Sequence, residues 1–419
     1  ILETYSQKYE MRFLLITGNH DVVEPFKVKA GKNNFLGNNG MPQPIMSQEG
    51  MYVSNLSKEH PVIVSDDIQS LGYLEVSEML GDFGFFPNKK DLYWESPFSS
   101  YNYASYTFEK AKKQSVLEFR KHPPNIGDYP FPDISYLVEP VEGIWLLALD
   151  ANVFMPVHSS KDNSVYYPGV GRGYNNVLGH KAYLLDWVKK VTVQAKNLGK
   201  TLIAFSHYPM VDFNDGASKH IKNLGIGNQM QIERDPLEEV SQIFADAGLK
   251  IHFGGHMHLN DTGIYTTQKG NTLVNIQTPS LAAYKPAYKL INMKSSDILD
   301  IQTIVVENVS RFKELFDLYK VEHDYLEKQE NKNIWNENIL TSNTYTEYTK
   351  WHLQELVRLR FLPREWPNGF IDFFSKLNGK KLFELSTTHS NQILENIDLK
   401  PFEDWTGFDF LFDLYRLRN

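Results

Sequence analysis

The chain of 419 residues is 42% apolar and 22% charged, a balance that fits a globular protein of one large domain with an appendage, or of two domains. It holds no cysteine, which excludes disulfides, thiolate metal sites and cysteine nucleophiles and leaves nitrogen and oxygen as the donors for any metal. A net charge of -8 argues against nucleic acid held by bulk charge, and no apolar window reaches the roughly 18 residues of a membrane span.

The first predicted element is the apolar run "RFLLIT", read as a strand, which breaks at Gly18 into Asn19, His20 and Asp21. Between about residues 22 and 140 lies a stretch too long for a simple connection. It holds elements of its own, such as a helix over "FEKAKKQSVLEFRK", and is expected to shape the mouth of a site. The strand "GIWLLAL" then ends in Asp150-Ala151-Asn152. An amphipathic helix over "GHKAYLLDWVKKVTVQAKNLGK" leads to the strand "KTLIAF", which ends in Ser206-His207-Tyr208-Pro209. A second helix over "RDPLEEVSQIFADAGLK" has Asp235 as N-cap and Pro236 at its first position. Its apolar face is Leu237, Val240, Ile243, Phe244 and Ala247, and Gly248 is its stop. It delivers the strand "LKIHF" to Gly254-Gly255-His256-Met257-His258. Four apolar runs with polar ends suit strands buried on both faces of a helix-covered sheet, hence an α/β layered domain. In such sheets ligands gather beyond the carboxyl ends of strands, where all four polar clusters sit.

A hairpin is expected around Gly270-Asn271, and "AYKLINM" and "LDIQTIVV" read as strands able to extend the sheet. After Ser310 the text changes to aromatic-rich helices over "RFKELFDLYKVEHDYLEKQ", "EYTKWHLQELVRLRFL" and "GFIDFFSKLN". The predicted division is therefore 1–310 and a C-terminal helical region, 311–419. Its Trp351, His352, Trp366 and Trp405 read as packing groups before a ligand box.

Taken singly, each polar group has a plain reading. A lone histidine is usually a satisfied core group, and "GNHD" alone is a turn with Asn19 left-handed and Asp21 capping. Three histidines and an amide at one sheet edge are harder to satisfy separately, which points to a metal.

The succession Gly18-Asn19-His20-Asp21, a strand ending at His207, then Gly255-His256-Met257-His258 resembles the calcineurin-like metallophosphoesterase superfamily, over roughly residues 10 to 300. The resemblance implies an αββα sandwich and two divalent metals, Mn, Fe, Zn or Ni, that hydrolyse phosphomonoesters or phosphodiesters. It places Asn19, His207 and His256 on one metal and His258 on the other. It makes His20 the proton donor to the leaving oxygen, with Asp21 orienting its ring. The chemistry agrees, since paired metals clamp phosphoryl oxygens and activate a water while the leaving alkoxide needs a proton. The family's Asp-x-His and Gly-Asp-x-x-Asp segments, which precede "GNHD", have no counterpart here. The expectation is an N-terminally incomplete sandwich whose chain alone holds one metal or none.

Further candidates are Tyr208, Asp212 and Asn214 near substrate, and Arg172 as a forked donor to a phosphate oxygen. Asp150 and Asn152 read as sheet support before ligands, and His252 as packing behind the site. The expected partner is a phosphate-ester substrate, with no nucleic acid and no transmembrane segment; oligomeric state stays open. The alternatives are a catalytically impaired binding protein and a nuclease of the same fold. Freedom from cysteine with many Tyr and Asn favours an extracytoplasmic place, a bacterial periplasm or envelope, over a cytoplasmic one.

Overall fold

The computed structural model describes residues 1–51, 60–122, 130–160, 164–171, 173–223, 229–331, 333–388 and 397–417, with backbone alone at positions 229, 230, 368 and 388. The architecture is mixed α/β around a seven-stranded sheet. Its strands are β1 (Tyr93–Glu95), β2 (Tyr136–Val141), β3 (Ile144–Leu149), β4 (Thr201–Ser206), β5 (Ile251–Gly254), β6 (Thr262–Thr266) and β7 (Thr272–Gln277). They lie in the order β6-β7-β5-β4-β3-β2-β1. β3, β4, β5 and β7 run parallel, and the strands beyond them on either side run antiparallel. The register sets Ser206 opposite Leu149 and Phe205 opposite Phe253, so β3, β4 and β5 end along one line.

The two faces of this sheet are unequal. One carries Leu147, Ala204, His252, Asn275 and Leu273, all fully buried. Over it lie α1 (Ala182–Asn197) and α2 (Glu238–Asp246), whose buried Leu184, Val188, Val191, Val240 and Phe244 join the same core. The other face carries Leu146, Ile203, Phe205, Ile251, Phe253, Val274 and Ile276, against which Leu299 and Ile301 pack. Here several side chains are only half-buried, and Ile264 at the margin is 65% exposed.

Several expectations are corrected. "RFLLIT" is extended but pairs with no strand among the described residues. Leu15 N–H donates to Phe83 O instead, and Leu15 O accepts from the Tyr136 hydroxyl, so the run crosses the thinly covered face as a strap. The central strands are thus not equally buried on both faces. The second helix begins at Glu238, because the Asp235 carboxylate is engaged by Lys222 Nζ at 2.9 Å instead of capping. Leu237, expected on the apolar face, is exposed, and its N–H is taken by Asn175 Oδ1. The hairpin about Gly270 forms β6 and β7, with Gly270 at φ +81 in the turn. Among the described residues Ala287–Ser295 and Ile298–Val305 pair with each other alone, as a separate two-stranded sheet, and do not extend the main one.

The C-terminal helices include α3 (Phe316–Lys328) and α4 (Tyr345–Leu356). α4 continues through a π-helical turn, Val357–Phe361, into Leu362–Glu365. Leu353, Val357, Leu362, Trp366, Leu411 and Phe412 form a core of their own, against which Ile221 and Tyr284 pack. Among the described residues no helix is long and apolar enough to cross a membrane.

Candidate metal centre

Three chain segments deliver the polar groups. His207 follows β4 directly, and Gly255 to His258 follow β5, tied back by Gly255 N–H to His207 O at 2.9 Å. The strap brings Asn19 beside them. It approaches so closely that a Cβ on Gly18 would lie 2.6 Å from His207 Nδ1, so only glycine fits there. Asn152, beyond β3, holds the strap from behind, its Nδ2 donating to Thr17 Oγ1 at 3.3 Å and Thr17 O at 3.4 Å. Asp21 closes the loop by accepting Gly18 N–H at 2.8 Å.

The result is a triangle of donor atoms. His207 Nε2 lies 2.8 Å from Asn19 Oδ1 and 3.0 Å from His256 Nδ1, which in turn is 3.1 Å from Asn19 Oδ1. A triangle of three hydrogen bonds would need three hydrogens, but Asn19 Oδ1 has none and each nitrogen has at most one. At least one edge therefore sets lone pair against lone pair or hydrogen against hydrogen. A cation removes the conflict: donors about 2.1 Å from a metal and at right angles to one another are about 3.0 Å apart. The other ring nitrogen of His256, Nε2, is buried without a partner among the described residues.

The imidazoles are kept neutral. Burial, helped by the charges of His258, His20 and Arg234, pulls His207 down to about 4 despite the opposing Asp21. Burial first and His207 next pull His256 down to about 2. Burial also lowers His258, with His20 and Arg234 acting the same way. Neutral imidazole is the ligand form, so these groups need not shed a proton to bind a metal at pH 7. His256 and His258 both sit at positive φ, 65 and 58, the kind of backbone strain that clusters at functional sites.

The remaining candidates fall around this triangle. His20 and His258 stand at the mouth, within electrostatic reach of one another, His258 with part of its surface open to solvent. Asp21 has Gly18 N–H, and not the His20 ring, as its hydrogen-bond partner among the described residues. Tyr208 is buried, with its ring 4.5 Å from that of His256 and 5.0 Å from that of His207. With Asn19, Asn152, Val22, Val153 and Phe154 it lines a cavity of about 170 Å³. Arg172 lies outside the described residues. Asp212 and Asn214 close a turn on each other and on Ser218. His252 bridges Asn275 Oδ1 at 2.7 Å and Ser206 Oγ at 2.8 Å, a support beneath the His207 loop.

Asp150 belongs to a different arrangement. Lys181 Nζ lies 2.9 Å from Asp133 Oδ2 and 3.1 Å from Asp150 Oδ2. The hydroxyls of Tyr183 and Tyr73 donate to the same two carboxylates, at 2.7 Å and 2.6 Å. Desolvation raises Asp150; in Asp133 the Lys181 charge overcomes desolvation and holds the carboxyl at about 2. Sequence reasoning passed over Lys181, hidden at the head of an amphipathic helix, and Arg234, which belongs to no motif. The Arg234 guanidinium donates to Gln231 Oε1 at 2.6 Å and bears on Tyr208 and all three histidines. A further group, His323, Asp324 and Glu327, has donor atoms within 4.8 Å of one another. Asp324 there is paired with Lys320 and Glu327 is exposed, as on an ordinary solvated helix face.

No protein-family model matches this chain, and no curated protein does.

Proposed function

We propose that this chain is a metal-dependent phosphoesterase of the calcineurin-like type, which hydrolyses phosphomonoesters or phosphodiesters with a metal-activated water. The observation that carries the reading is the Asn19–His207–His256 triangle, whose three atoms cannot satisfy one another and whose spacing suits a divalent metal. The uneven sheet supports a sandwich, since parallel strands with one thinly covered apolar face call for a second layer. Asn19, His207 and His256 would hold one metal and His258 another, drawn from Mn, Fe, Zn or Ni. Bound there, divalent metals polarise phosphoryl oxygens and lower the pKa of a water.

The chain's own residues supply the rest. His20, exposed beside His258, gives a proton to the leaving oxygen. Asp21 shapes the loop that carries it. Arg234 adds positive charge that favours an anionic ester, and Tyr208 walls the cavity next to Asn19. A second reading, binding without turnover, draws on the triangle itself, in which all three donors are neutral.

The test is hydrolysis of phenyl phosphate and of methyl phenyl phosphate with added Mn or Zn. Turnover should require metal. His20→Ala should lower it by roughly 10²- to 10⁴-fold while metal content stays unchanged. A chain that holds metal yet cleaves neither ester favours the binding reading, and loss of metal from His20→Ala would overturn this division of roles.

A further inference from the structure

The C-terminal helices line an open pocket of about 360 Å³, a volume typical of small-molecule sites, far along the chain from the histidines. Its aromatic walls are Tyr319 from α3, Tyr348 and His352 from α4, and Trp335 from the connection between them. Glu322 also lines it and has no ion-pair or hydrogen-bond partner among the described residues. The other lining carboxylate, Glu355, is already taken, by Arg358 Nη2 at 2.5 Å and by Asn336 N–H at 2.9 Å. Burial lowers His352, so this imidazole adds no positive charge at pH 7. The wall is completed where α4 gives way to the π-helical turn, which contributes Leu359 and Arg360. Such turns are uncommon and gather at functional sites.

We infer that this cavity is a binding site for a small organic ammonium ion with an apolar body, its charge set against the aromatic rings and Glu322. Aromatic faces attract a desolvated cation through the ring quadrupole, and one free carboxylate completes the complement. Arg360, the lining cation, is exposed and stands over the Phe361 ring at 5.9 Å, which marks the opposite charge preference as the competing outcome. This inference does not depend on the phosphoesterase reading.

The test is titration of the full chain with benzyltrimethylammonium, followed by calorimetry and by quenching of tryptophan fluorescence, with benzenesulfonate and benzyl alcohol as comparators. The cation should bind saturably and more tightly than either comparator. Glu322→Gln, a surface change that leaves the fold intact, should weaken it about three- to fivefold, and Tyr348→Leu more. Arg360→Gln should leave binding equal or tighter. The inference is overturned if the sulfonate or the alcohol binds as well as the cation, if Glu322→Gln changes nothing, or if no saturable binding occurs.

Discussion

Two polar clusters stand near neighbouring strand ends and solve opposite problems. Around Lys181 every charge has a polar partner: one ammonium shared by two carboxylates, each of which also accepts from a tyrosine hydroxyl, with Lys181 3% exposed and Asp133 and Asp150 sealed completely. Around His207 three neutral donors converge with no counter-group in the triangle, half open to solvent. The first cluster is closed and can only hold the fold. In the second, three atoms stand 2.8–3.1 Å apart and cannot all satisfy one another, a conflict that a cation bound among them would remove. The difference separates a buried polar network that stabilises from one that is poised to bind.

The comparison breaks first, and most visibly, at Lys181. Lys181→Met should cost about 3–5 kcal/mol, because two buried carboxylates lose the ammonium that bridges them. Urea midpoints measure it, and an unchanged midpoint would mean that the closed cluster contributes nothing.

A pH series sharpens the contrast at smaller cost. Burial holds His252 at about 4 against an ordinary 6.5, so the unfolded chain takes up the proton first as pH falls. Its contribution is complete above pH 6.5, declines as pH drops to about 4, and changes no further below that. The span is worth roughly 3 kcal/mol, and His252→Gln should reduce the slope in denaturant unfolding between pH 7 and 4 by that share, His207 and His256 carrying the rest. An equal slope in the variant would assign the acid sensitivity elsewhere. The smallest effect is expected at Asn152, whose contacts to the strap are long. Asn152→Ala should cost about 1 kcal/mol and loosen the Asn19 loop, read as faster amide exchange at residues 17–19. Unchanged exchange would mean that the strap is held from its other side alone.

Much of this was legible locally. β3, β4 and β5 coincide with apolar runs closed by polar residues, because a strand buried on its helix side and half-buried on the other keeps that pattern. His207 and His256 meet because β4 and β5 end in register, and the close approach of the strap at Gly18 brings Asn19 to them. "RFLLIT" carries the same pattern and forms no ladder, since the partner for Leu15 N–H is Phe83 in a short 3-10 turn, Gly81–Phe83, that no periodicity announces. The early start read for the helix at Asp235 failed for a similar reason, a lysine thirteen positions earlier that claims the capping carboxylate. Lys181 and Arg234 were invisible as site supports, because their roles exist only through partners far off in sequence. The aromatic stripes after residue 310 proved to be core at Trp366 and cavity wall at His352, a distinction that helical spacing does not draw.

The most direct measurement is metal content of the full chain and of His207→Ala, by elemental analysis after equilibration with Mn and Zn and removal of free ions. The account predicts at least one metal retained per chain. His207→Ala should weaken it by about 100-fold or more while the metal-free unfolding midpoint stays level or rises, as fits a group placed for binding at some cost to stability. A chain that retains no metal, or one whose metal is indifferent to His207→Ala, would contradict it.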